Sequence, residues 1–122
     1  MKLATLILQN AVRLLALILL VLGFQIWVQH SYVHLGVHMA VGRLTILLLW
    51  ILAWIALRAG VKQKLVLIAI LYGFFVIVFA IYMGGLLPGR AHEAIRVLHF
   101  LFGLGALGLA ESLGAKIKRG LA

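Results

Sequence analysis

Four stretches of this chain are each long enough and apolar enough to cross a bilayer, and together they leave little of the sequence over. A spanning helix needs about 20 mostly apolar residues. Residues 3–28, 32–57, 65–86 and 91–113 each meet that requirement. In water, a chain of 122 residues that is 66% hydrophobic could not bury so much apolar surface. In lipid the outward faces need no burial, but every backbone polar group must find its partner inside the segment. The expected fold is therefore all-α: an integral membrane four-helix transmembrane bundle forming a single domain over residues 1–122. The connections at 29–31, 58–64 and 87–90 are short, so consecutive helices are expected as antiparallel neighbours in up-down-up-down order.

The first stretch follows Lys2 and has the outline of a signal peptide. Its apolar run is long, and Phe24-Gln25-Ile26-Trp27 stands where a small-residue cleavage site would be needed. It is read as a retained first helix.

The charge balance is +9, from 11 Lys and Arg against 2 acids. In a soluble domain this would suggest nucleic acid. Here the basic residues gather at helix ends, which is the pattern of membrane topology, and no nucleic-acid partner is expected. Lys2, then Arg58, Lys62 and Lys64, then Lys116, Lys118 and Arg119 fall on one side, while the other two loops hold only Arg90. The positive-inside rule places both termini and the second loop in the cytoplasm, and the chain in the inner (cytoplasmic) membrane. Trp27, Tyr32 and Tyr82 then lie near the outer boundary and Trp54 nearer the inner one.

Several chemistries are excluded by what the chain lacks. With no cysteine there is no thiolate metal site and no Cys nucleophile. With no aspartate there is no Ser-His-Asp triad. Glu93 and Glu111 are too far apart on one helix for paired-acid catalysis.

The five histidines, His30, His34, His38, His92 and His99, all fall in the outer half or at its edge. His34 and His38 are one helical turn apart, and His92 and His99 are two turns apart, so each pair shares a face. Small residues continue both stripes inward: Gly42 and Thr45 below His38, and Gly103, Ala106 and Ala110 below His99. Small residues permit close helix approach or leave room for a flat ligand. At 1.5 Å rise per residue, His38 lies roughly 9 Å below Tyr32 and His99 roughly 12 Å below Ala91. The second and fourth helices thus each carry one inner histidine at similar depth and one at the mouth. Haem b standing between them would take axial nitrogens from His38 and His99. Its propionates would reach the outer surface, within range of His34, His92, Arg90 and Arg96. Neutral imidazole also suits zinc or copper, but no nearby carboxylate or thiol completes a dedicated site.

Arg13, Arg43 and Arg96 fall inside apolar segments, where charge is costly and usually paired. Glu111 is placed to meet Arg13, and Glu93 to meet Arg96. Arg43 is left without an acid and is assigned to lipid or to a partner.

The histidine placement, with the stretch His92-Glu93-Ala94-Ile95-Arg96-Val97-Leu98-His99, resembles that of small four-helix b-type membrane cytochromes and the haem-anchor subunits of respiratory complexes. The resemblance covers the second and fourth helices. It implies a bis-histidine electron-transfer subunit of a larger respiratory or redox complex, exchanging electrons with a quinone or an outer-side donor. No histidine lies in the inner half, so a second haem there is not expected. Two other functions fit the same bundle. One is a non-catalytic accessory or assembly subunit, whose Arg13 and Arg43 meet partner carboxylates. The other is a small transporter, as a homodimer, with histidines relaying protons.

Overall fold

The computed structural model describes residues 1–120 and contains four long helices: α1 (Lys2–Trp27), α2 (Leu35–Arg58), α3 (Gln63–Tyr82) and α4 (His92–Gly120). All four are long and apolar enough to span a membrane. Their outward faces carry large apolar side chains such as Leu14, Leu17, Phe24, Leu71 and Leu101, each more than half exposed. Water would not tolerate that surface, and lipid does. The chain is an all-α, multi-pass membrane protein that contacts the bilayer.

The helix ends follow from local chemistry. α2 begins at Leu35 rather than at Tyr32, because His30 adopts a left-handed φ of 52° and His34 is the non-helical capping residue. α4 runs beyond Leu113 to Gly120, with Leu113 and Ile117 both fully buried on its inner face. Gly60 takes a φ of 82° in the loop between α2 and α3, a conformation that favours glycine. Two short 3-10 turns, Met83–Gly85 and Gly89–Ala91, flank Pro88 before α4.

α2 and α4 touch across the middle of the bundle, so α1 and α3 stand on opposite sides and do not meet. The buried residues lie in the middle and in the half that holds the start of α1 and the end of α4: Thr5, Gln9 and Val12 of α1, Thr45 to Ala56 of α2, Val66 to Val76 of α3, and Ala106 to Ile117 of α4. Toward the opposite end, Ile95 is the one buried residue among those described. The bundle is thus tight at the end that carries Lys2 and Gly120 and loose where the histidines stand.

Lipid removes the hydrophobic drive between spanning helices, so close packing and hydrogen bonds must hold them together. Three interfaces use the same arrangement. Trp50 of α2 packs on Gly73 of α3, Tyr72 of α3 on Gly105 of α4, and Gln9 of α1 on Gly114 of α4, so closely that a Cβ on any of these glycines would overlap the side chain. In each case the polar end donates to the carbonyl three residues before the glycine. Trp50 Nε1 reaches Ile70 O at 3.3 Å, Tyr72 Oη reaches Phe102 O at 2.6 Å, and Gln9 Nε2 reaches Glu111 O at 3.4 Å. The absent Cβ uncovers that carbonyl to a neighbouring helix, and an amphipathic side chain fills the gap.

Candidate functional site

His38 stands one turn into α2 and His99 two turns into α4. From these unequal starts the two rings arrive at the same level, with centroids 6.2 Å apart and planes inclined at 58°. Both rings are half-buried, and Nδ1 of each is enclosed without a hydrogen-bond partner. An unsatisfied buried polar atom costs about 1–3 kcal/mol. Both neighbouring rings carry one such atom.

The walls of this region come from the other helices. Gly23 of α1 lies against His38, where a Cβ would stand 3.5 Å from its Cε1. Phe79 of α3 stacks on His99 with centroids 6.4 Å apart and an interplanar angle of 14°. Phe102 meets Phe79 edge-on at 5.0 Å. One turn further in, Gly103 follows His99 and has open space where its side chain would be. Gly42 occupies the corresponding place below His38, with Leu19 nearby.

The mouth residues are arranged differently. His34 caps α2 and is exposed. His92 Nδ1 lies 3.0 Å from Leu86 O, tying the start of α4 to the preceding turn. Arg96 donates to Glu93 Oε1 at 2.9 Å, and Trp27 donates to Glu93 Oε2 at 2.8 Å. Arg96 therefore already has a carboxylate beside it, and its role toward a second anion would be shared. Arg90 lies exposed in the turn before α4, and His30 is exposed in the first loop. The structure thus brings His38 and His99 together. It leaves His34, His92, Arg90 and Arg96 around the rim at the same end of the bundle without hydrogen bonds that join them to one another.

At the other end, Arg13 binds Glu111 with both groups in parallel, Nε to Oε1 at 2.6 Å and Nη2 to Oε2 at 2.8 Å, while Nη1 donates to Asn10 Oδ1 at 2.8 Å. Both acids of the chain are thus engaged. Arg43 of α2 is exposed and, among the described residues, reaches only the carbonyl of Met39, at 3.4 Å.

A metal bonded to two opposed imidazoles at about 2 Å from each nitrogen holds the ring centroids roughly 6 Å apart. The His38–His99 separation matches that requirement. Among the described residues no three His, Cys, Asp or Glu side chains gather as a metal-binding group. A two-histidine site suits a macrocycle that supplies the remaining ligands itself. Phe79, Gly23 and the Trp27–Glu93 contact were not legible in the sequence. Their helices are apolar on nearly every face, so periodicity does not separate an inward Phe from a lipid-facing one.

No family model, curated protein or solved structure matches the chain. The class defined by the fold is that of a four-helix, multi-pass membrane protein with two neighbouring histidines in the loose half of its bundle.

Proposed function

We propose that the protein is a membrane-bound b-type haem protein whose iron is held by His38 and His99. The observation that carries this reading is the pair of half-buried rings at 6.2 Å, each with an orphaned nitrogen. The open space at Gly103 and the sparse packing of the outer half support it, since a flat ligand needs both. Two histidines would fill both axial positions, which favours electron transfer over oxygen chemistry. The haem edge would lie near the outer face, within reach of an outer-side donor or of a quinol in the membrane. His34, His92, Arg90 and Arg96 would meet the propionates at the rim. A single such group cannot pass electrons across the bilayer alone, so the protein would act as a subunit of a larger redox complex in the inner membrane, with both termini cytoplasmic.

The test is haem content per chain, measured by pyridine haemochrome on protein purified from cells given adequate haem. The wild type should carry close to one haem. His38→Ala and His99→Ala should each carry almost none, and His30→Ala should match the wild type. Full haem in both His38→Ala and His99→Ala would overturn the ligand assignment.

A second reading has its own observation. Arg43 is exposed at an apolar depth, and both acids of the chain are bound elsewhere. In a second copy of the chain Glu93 and Glu111 are engaged in the same way. This favours an accessory subunit that packs α2 against a different membrane protein carrying an acid at that level.

A further inference from the structure

The inner end of the bundle holds a feature that the haem reading does not use. Where the loop between α2 and α3 meets the last turns of α4, a groove of about 470 Å³ opens at the end of the spanning helices. Its rim carries the ammonium groups of Lys62, Lys64 and Lys116, all exposed. Its wall is apolar, formed by Leu65 and Ile68, which lie on successive turns of α3 and lead from the rim toward the bilayer interior. Among the described residues no carboxylate lines it, and Glu111, the nearer acidic side chain in sequence, is held by Arg13 on α1.

We propose that this groove is a binding site for one anionic phospholipid, with its headgroup phosphate among Lys62, Lys64 and Lys116 and an acyl chain along Leu65 and Ile68. The chemistry of the lining selects this occupant. Three cations with no carboxylate side chain among the described residues of the groove attract an external negative charge. Clustered Lys and Arg on the cytoplasmic side are the sequence feature that holds acidic headgroups. An apolar wall running into the membrane is of no use to a free phosphate ion, which has no hydrocarbon to place there. A phospholipid satisfies both parts and is present at the required depth. Gly60 shapes the rim, because its φ of 82° turns the chain sharply enough to set Lys62 over the start of α3.

The test is native mass spectrometry of the full-length protein, released from mixed micelles containing equal phosphatidylglycerol and phosphatidylcholine. The wild type should retain one phosphatidylglycerol in preference to phosphatidylcholine. A triple variant, Lys62→Gln with Lys64→Gln and Lys116→Gln, should lose that adduct by roughly tenfold or more. A control of equal charge loss, Lys2→Gln with Lys118→Gln and Arg119→Gln, should retain it. Ile68→Ser, at an exposed position, should weaken retention without changing the rim charge. Equal loss in the triple variant and its control would overturn the proposal, because it would show unlocalised attraction to a basic surface. So would displacement of the lipid by millimolar inorganic phosphate together with no effect of Ile68→Ser, which would reduce the site to one for the free anion.

Discussion

A charged or ionisable side chain inside an apolar segment is costly and tends to be paired or functional. Arg13 and Glu111 are neutralised by their two parallel hydrogen bonds, with Asn10 taking a further donor. Removing one partner leaves the other charge in an apolar setting, and removing both leaves none. Arg13→Gln and Glu111→Gln should therefore each lower the melting temperature in detergent more than the double variant does. Additive losses in a double-mutant cycle would show that the pair contributes no coupling. The proposed functional role falls to His38 and His99. They have no polar partner at Nδ1, and their ring centroids are 6.2 Å apart. The sequence made this pair visible because histidine is rare enough in apolar segments that its spacing stands out. The same reasoning located both ion pairs of the chain, since two acids among many bases leave few possible pairings. It could not assign the rim. His34, His92, Arg90 and Arg96 sit at helix ends and turns, where one residue of shift at the start of α2 redirects a side chain, and Arg96 shares Glu93 with Trp27.

At the scale of the helices, the number and order of elements were legible because a bilayer fixes both length and backbone bonding. Which face of each helix turns inward was not. α3 is apolar all round, so neither Phe79 nor Gly73 could be placed from pattern alone. The glycines of α4 show the same limit. Gly105 and Gly114 receive Tyr72 and Gln9, whereas Gly103 and Gly108 have open space. Gly105→Ala and Gly114→Ala should destabilise the bundle by about 1–3 kcal/mol, the usual cost of overpacking. Gly108→Ala should be close to neutral. Thermal unfolding followed by circular dichroism in detergent distinguishes them, and equal effects at all three positions would contradict the packing described.

For the whole molecule, one end is densely packed and basic, and the other is loosely packed and rich in histidine. The asymmetry makes orientation matter, since it decides which compartment the histidine end faces. Because the chain has no cysteine, single cysteines report topology without background. Ser31→Cys should react with an impermeant maleimide from outside the cytoplasmic membrane, and Gly120→Cys only after the membrane is opened. The reverse pattern would invert the orientation and place the candidate haem at the cytoplasmic face.

The measurement that reaches the central claim most directly is the visible absorption spectrum of the purified protein, oxidised and then reduced with dithionite. Sharp reduced bands of low-spin haem b, at close to one haem per chain, are the result expected from two imidazoles on one iron. A colourless protein from haem-replete cells would contradict the account and leave His38 and His99 as residues of the helix interface.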